Sequence, residues 1–531
     1  MNFLTSTLAA GLMCLPFLSQ AQQKFAETIT AADLEKHLRI LAADDMQGRE
    51  TGTPGQRKAA EYIAGQFAAN GLKPLVKTAD GKLGYQQPFT LYKKTWGDFY
   101  VSAGSKRFAY LKDFVTNGLL SVPTETPYET VFVGYGINDN TLNEYGDLDV
   151  KGKAVVLLDD EPKTEDGKSR VDATSSSSKW GGGNGWRAKA ALAKEKGAAQ
   201  IFIVSADSAA GFQRVLAQRG ALMGRFNRLG LKPGTEDVGS VGVFLISPDM
   251  AAALLNVTTS QFNEASRLYT RSTGTQLPKL TGTVAIKAER IEEQVQSSNV
   301  LGFIEGSDKK DEIMIISAHY DHIGVSADGQ VNNGANDDGS GTVSVLEIAQ
   351  AFAKAKAAGK GPRRSILFLT VTGEEKGLLG SEYYADMNPV LPLENTVCDL
   401  NIDMVGRVDD LHQGKNDNYI YVIGSDKLSS ELHKISEDAN EKSVKMELDY
   451  KYNDPKDPQR IYYRSDHYNF AKHRIPIVFY FNGLHADYHR PTDDVEKIDF
   501  KLAERSARLV FFTAWEVANR DQRLAVDSNK Q

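Results

Sequence analysis

The sequence predicts an α/β protein, a mixed and mostly parallel sheet sandwiched by helices, interrupted by an inserted β-rich unit. Three observations lead there. After Asn299, short apolar runs alternate with helical segments, the pattern of a parallel sheet covered on both faces. Four of those runs (313–318, 366–371, 397–404 and 475–481) end on or beside residues able to bind metal. The stretch 126–268 differs, with short β-like runs separated by turn-rich segments.

The elements follow in chain order. Residues 3–18 (FLTSTLAAGLMCLPFL) form an uncharged apolar run too short to span a bilayer comfortably. Ser19-Gln20-Ala21 then places small residues at the two positions a signal peptidase inspects. Segment 1–21 reads as a secretory leader cleaved after Ala21, although no Lys or Arg precedes the apolar run. A lipoprotein reading through Cys14 is weak because Met13 is large. The expectation is an exported protein, periplasmic or fully secreted. Cys398, in TVCDLNIDMV, is then the single cysteine of the mature chain and reads as a small buried hydrophobe rather than a nucleophile.

From 30 to 72 the spacing is helical. Leu34, Leu38 and Leu41 share one face, Ala60, Ile63 and Phe67 another, and Gly71 stands as a C-terminal cap. Within 126–268 the strand candidates are ETVFVGYG, KAVVLLDD, AAQIFIVS and VGVFLIS, with one helical piece, RAKAALAKEKGA. A Ser/Gly-rich loop there carries Trp180 and Trp186. Residues 341–357 form a helix with Val345, Ile348, Ala349 and Phe352 on one face. The resulting division is 28–120, an insert at 125–268, 275–520, and a tail at 521–531.

Composition narrows the function. The 531 residues are 41% hydrophobic and 25% charged, with a net charge of -7. Nothing resembles the basic patch that nucleic acid or an anionic membrane would require. The chemistry sits at the strand ends: His319, Asp321 and His322 after the first run, Glu374-Glu375 after the second, Asp403 in the third. His485 and His489 follow the fourth, and Asp337-Asp338 lies in the Gly-rich loop VNNGANDDGSG. Ligands bind beyond the carboxyl ends of strands in open α/β sheets, so these dispersed residues should converge. Imidazoles with carboxylates suit divalent zinc, and two ions sharing a carboxylate can activate water and polarise a carbonyl.

GANDDGSG, TGEEKGLLGS, NIDMVG and YHRPTDD, in that order after AHYDH, resemble the co-catalytic di-zinc exopeptidase family. That family includes leucyl-type aminopeptidases, glutamate carboxypeptidase and transferrin-receptor relatives. The likeness covers 28–95 and 275–520, and VFVGYGI, YGDLDVKGKAVVLL and FLISPDMAAALL resemble a protease-associated (PA) domain. The resemblance implies that His319 and Asp403 bind one Zn²⁺, Glu375 and His489 the other, and Asp337 both. It also implies that Asp321 accepts the free N–H of His319, that Glu374 is the general base toward a bridging hydroxide, and that the Asp337–Asp338 peptide is cis.

Tyr463 and Tyr488 are candidate oxyanion donors. His322 and His485 read as pocket-rim or structural residues, and Arg49 and Arg407 as partners of carboxylates. Ser465-Asp466-His467 is too contiguous for a catalytic relay and reads as structural. The function implied is removal of N-terminal residues from peptides with a free N-terminus. A carboxypeptidase would need an arginine cluster, for which Arg407, Arg464 and Arg490 are the candidates. A cyclotransferase would use one zinc, and a non-catalytic binding protein on the same fold would have lost ligands or base. Preferred side chain and oligomeric state are not legible.

Overall fold

The structure, a computed structural model, describes residues 22–529 apart from 118–119, 207, 224–228, 234–240 and 272–277. The leader candidate 1–21, with Cys14, lies outside the described residues. The chain divides into two compact units, the first made of residues up to Leu91 and from Val295 onward, the second of Tyr92–Gln294.

The first unit begins with helices α1 (Ala31–Leu41), capped by the Thr30 side chain, and α2 (Pro54–Ala69), capped by Thr53 with Pro at its first turn. Its sheet takes the end of β1 (Thr281–Ile304), then β2 (Lys309–His319), β3 (Arg364–Val371), β4 (Thr396–Ile402), β5 (Tyr419–Ile423), β6 (Glu447–Asp449) and β7 (Ile477–Phe481). The strand order is β6-β5-β7-β4-β2-β3-β1. Neighbours β7, β4, β2 and β3 run parallel, while β1 pairs antiparallel with β3 and β5 antiparallel with β7. Every residue of β3, β4, β5 and β7 is buried, as strands covered on both faces must be.

Helices α3 (Gly341–Ala357), α4 (Ser430–Lys442) and α5 (Phe500–Asn519) join α1 and α2 in supplying one face of the core. Phe352 of α3 packs against Phe368 of β3 and against Phe511 and Trp515 of α5. The opposite face holds Tyr384, Tyr452, Ile461 and Phe470 over β5 and β7. Cys398 is buried and unpaired. His37 of α1 accepts or donates at 2.6 Å to Tyr62 of α2, and its other nitrogen lies 3.3 Å from the buried Glu347 of α3. That polar clip fixes three helices against one another.

The second unit is built on strands Val122–Phe132, Ala154–Leu158, Gln200–Val204 and Val243–Ile246, parallel in that order. Phe114–Thr116 adds antiparallel at one edge, and residues 281–288 pair antiparallel with 122–131. The unit is wider than the 125–268 insert of the sequence reading. Phe114–Thr116, the hairpin of 100–103 with 106–109, and the first half of Thr281–Ile304 all pair within it. Buried Glu161 accepts from the Ser169 hydroxyl at 2.8 Å and the Ser178 amide at 2.7 Å, tying down the Ser/Gly-rich loop. Trp180 is buried in the same loop and donates to Asp139 at 3.0 Å, while Trp186 is half-buried beside the Arg187 guanidinium.

Among the described residues, no helix is long and apolar enough to cross a membrane. Because Phe352 contacts a strand and a second helix, Phe352→Ala should cost about 3–5 kcal/mol. Urea unfolding of the two proteins side by side, with the slope unchanged, measures it.

Candidate metal centre

Strand register brings the ligand candidates to one level. His319 ends β2 opposite Val371 of β3, Ser317 pairs with Asn401 of β4, and Ile402 pairs with Tyr480 of β7. The chain therefore leaves these strands at one edge, carrying His319, Glu374-Glu375 and Asp403 there together. Asp337 arrives from the segment Ala335–Ser340, immediately before α3.

Distances define two groups of donors joined by one carboxylate. His319 Nε2 lies 3.4 Å from Asp337 Oδ1, 3.6 Å from Asp403 Oδ1 and 4.0 Å from Glu374 Oε2. His489 Nε2 lies 3.1 Å from Asp337 Oδ2 and 3.0 Å from Glu375 Oε2. His319, Asp337 and Asp403 form one cluster with metal-ligand spacing, and His322, Asp337 and Glu375 a second. His489 is about one-third exposed (36%), Glu375 is part-buried, and His319, His322, Asp337 and Asp403 are buried.

The donors fit a metal on two counts. Zinc bound tetrahedrally at ~2.0–2.2 Å spaces its ligand atoms by ~3.3–3.5 Å, close to the separations found. In addition, the buried oxygens Asp337 Oδ2, Glu375 Oε1 and Asp403 Oδ1 accept no aligned hydrogen bond, although imidazole nitrogens stand so close. A true hydrogen bond of this type occurs nearby, from His412 Nδ1 to Asp409 Oδ1 at 2.8 Å. The ligand atoms of each cluster instead lie within 4.8 Å of one another. Imidazole plus carboxylate is a donor set suited to zinc.

Electrostatics point the same way. Burial works against ionisation of Asp337, yet the imidazoles of His319 and His489 hold its carboxyl well below the usual range. Burial likewise opposes protonation of His489, but Asp337 and Glu375 raise its pKa to about 10. Burial drives the Glu374 carboxyl well above the usual range; His319 opposes that shift, and the charges of Glu375, Asp466 and Asp403 add to it. Four carboxylates crowd three imidazoles here, and such a cluster favours cationic charge.

Supporting bonds orient the set. Asp493 accepts from the backbone amides of Asn336 at 3.0 Å and Asp337 at 3.1 Å. Asp338, joined to Asp337 by a cis peptide bond, accepts from Gly341 and Met404, and the latter bond steadies the chain after Asp403. Asp321 differs from the sequence reading in the atom used. Its backbone carbonyl is 3.1 Å from His319 Nδ1, whereas its carboxylate stands at 3.9 Å and accepts from Thr51 and from the Glu374 amide. Its backbone carbonyl thus meets His319, while its side chain ties to the amide of Glu374.

Arg49 departs further from expectation. It is buried and pairs with no carboxylate directly, donating instead to the carbonyls of Leu41, Tyr320, Asn333 and Gly334. Arg407 does pair with Asp487, at 3.0 Å. Tyr488 stacks on His489 with ring centroids 3.8 Å apart, its hydroxyl accepting from Arg464. Tyr463 is exposed and packs on Tyr462 and Tyr468. His485 is buried, its pKa pushed down to about 4 by burial and by Arg407. Ser465, Asp466 and Asn469 brace the site from below, bonding Asn401 and Ser381.

Sequence reasoning assigned no role to Asp493 and Thr51 and read His322 as a pocket-rim or structural residue. Two signals were present: Asp493 is the first of the two aspartates ending the YHRPTDD motif, and His322 stands three residues after His319.

Comparison with known proteins places the site within a family. Residues 299–514 match the model of peptidase family M28. A "probable zinc metalloprotease" of Pyrenophora teres f. teres is 33% identical over 153 residues, 27% of this chain and 29% of the relative. A "probable leucine aminopeptidase" of Arthroderma otae is 30% identical over 268 residues, 48% of this chain and 69% of the relative. The aminopeptidase from Aneurinibacillus sp. strain AM-1 aligns in structure over 96% of this chain and 100% of its own, at 20% identity and a TM-score of 0.49. The chain thus spans under a third of one of these curated relatives and just over two thirds of another.

Asp493→Ala would leave the amides of Asn336 and Asp337 unpaired and free the shared carboxylate to shift. Zinc affinity should fall ~10–100-fold, the usual cost of losing an outer partner. Competition with a chromogenic chelator measures this, and unchanged affinity would show that the clamp is not needed.

Proposed function

This chain belongs to peptidase family M28, and from that premise we propose that it is a zinc-dependent exopeptidase, an aminopeptidase removing N-terminal residues from peptides. The observation that carries the reading is the shared Asp337 carboxylate, one oxygen toward His319 and the other toward His489. Two zinc ions fit the two donor groups it joins, His319 and Asp403 on one side, Glu375 and His489 on the other. When bound, such a pair supplies Lewis acidity toward a carbonyl oxygen and makes water a nucleophile at neutral pH.

Glu374 is the general base. It reaches the cluster without being needed as a ligand, 4.0 Å from His319 Nε2. Burial raises its proton affinity, and His319 only partly offsets that. A carboxylate with raised pKa holds the proton it takes from attacking water long enough to return it to the departing amine. Asp321 keeps this group in place through the Glu374 amide. Tyr488 is the better placed of the two candidate oxyanion donors, since it stacks on His489 whereas Tyr463 faces solvent.

The acidic surroundings favour a cationic α-amine in the substrate. Two of the three arginines a carboxypeptidase would use are engaged, Arg407 with Asp487 and Arg464 with the Tyr488 hydroxyl. The leader-like segment ending near Ala21 supports action outside the cytoplasm, and the second unit fits a PA-type insert.

Three measurements test this reading. Glu374→Gln should retain zinc and lose ~10²–10⁴ in kcat, and full activity with metal retained would sink the assigned base. Chelation should abolish hydrolysis of amino-acyl chromogenic substrates, with recovery on adding zinc. N-terminally acetylated peptides should resist cleavage; equal rates on blocked and free peptides would rule out an aminopeptidase.

A further inference from the structure

His322 is fully buried, and neither ring nitrogen has a hydrogen-bond partner. Its Nδ1 nevertheless lies 2.9 Å from Glu375 Oε1 and 3.7 Å from Asp337 Oδ2. Glu375 Oε1, at that short distance, accepts no aligned hydrogen bond either. His489 Nε2 shows the same arrangement toward Asp337 Oδ2, 3.1 Å away and equally unaligned. A nitrogen and an oxygen this close, neither aimed at the other, are two donors aimed at a third point.

The backbone makes room for this imidazole. Gly334 stands at φ 55°, and a Cβ there would meet His322 Cγ at 2.5 Å and Cδ2 at 2.6 Å. The ring is thereby seated against the segment that leads into Asp337. It stands edge-on to the His489 ring with centroids 5.7 Å apart, so the two imidazoles approach Glu375 and Asp337 from different sides.

We propose that His322 is a metal ligand through Nδ1, a fourth protein donor to the ion held by Asp337, Glu375 and His489. This rests on the zinc reading above and sharpens it, because the two positions become unequal. One ion has four protein donors, two of them imidazoles; the other has three, His319, Asp337 and Asp403. Closed four-donor sites are the retentive kind, and three-donor sites keep a position for water or substrate. The His322 position therefore fills first and empties last, and the three-donor position is the exchangeable one.

The decisive measurement is a crystal structure of the intact zinc-loaded protein, with zinc located by anomalous scattering. The expected result places His322 Nδ1 within ~2.2 Å of the ion beside Glu375. Nδ1 hydrogen-bonded to Glu375 and more than ~2.6 Å from zinc would overturn the proposal. Chelator competition supplies an independent arm. His322→Ala should weaken the tighter of two zinc sites at least tenfold and leave the weaker one unchanged, whereas unaltered affinities would count against ligation. Should wild-type protein bind fewer than two zinc, the two-ion reading itself fails, an outcome separate from a two-zinc enzyme in which His322 stands off the metal.

Discussion

The buried carboxylate of Asp337 organises the rest of this molecule. It lies between two imidazoles far apart in the chain, His319 at the end of β2 and His489 beyond β7. An anion this deep is costly unless compensated, so everything near it contributes donors or positive charge. The Asp493 clamp and the Arg49 guanidinium behind Gly334 hold the short segment that bears it. Helix α3 leaves directly from that segment into the first unit's core, which makes the site a continuation of the packing.

Much of this was legible before any coordinates. Ligand candidates could be picked out because His319, Glu374, Glu375 and Asp403 each fall within four residues of a buried apolar run, and the structure brings them together. Their separation into two groups around Asp337 came from resemblance, since spacing along a chain says little about which side of a carboxylate an imidazole approaches. His322 shows the limit well: its distance to Glu375 depends on how the loop after β2 folds back over Gly334. For Asp321, a sequence pattern cannot separate the carbonyl from the carboxylate of one residue. The width of the second unit was missed for a different reason. Strand Gln86–Ala103 mixes charged and aromatic residues at half-buried positions, so period-two alternation is blurred there.

Beneath the centre runs a second polar layer that the sequence displayed only as a suggestive tripeptide. Ser317 donates to Asp399, Asn401 to Ser465, and Ser381 to Asp466, all buried between β2, β4 and the segment entering β7. Buried polar networks of this kind specify one arrangement of a core when their members are paired. Here the arrangement specified is the relative placement of the Asp403 strand and the Glu374 loop. Met404 and His489 both stand at φ 56°, a backbone region costing about 1–3 kcal/mol for such residues, and they flank the centre so supported.

Arg49 carries one more consequence, which concerns time rather than geometry. Its guanidinium closes onto the Gly334 carbonyl across 285 residues of chain, and Arg508 returns to Ile29 across 479. Contacts of such long range are slow to form, because chain entropy is lost well before they reward it. On the ribosome, the first helices emerge long before their partners exist, and the whole second unit is synthesised in between. The second unit has its own core, whereas the donor groups of the metal centre cannot meet until His489 and Asp493 have been made. A nascent or truncated chain that lacks His489 and Asp493 therefore lacks part of both the donor set and the clamp on Asp337.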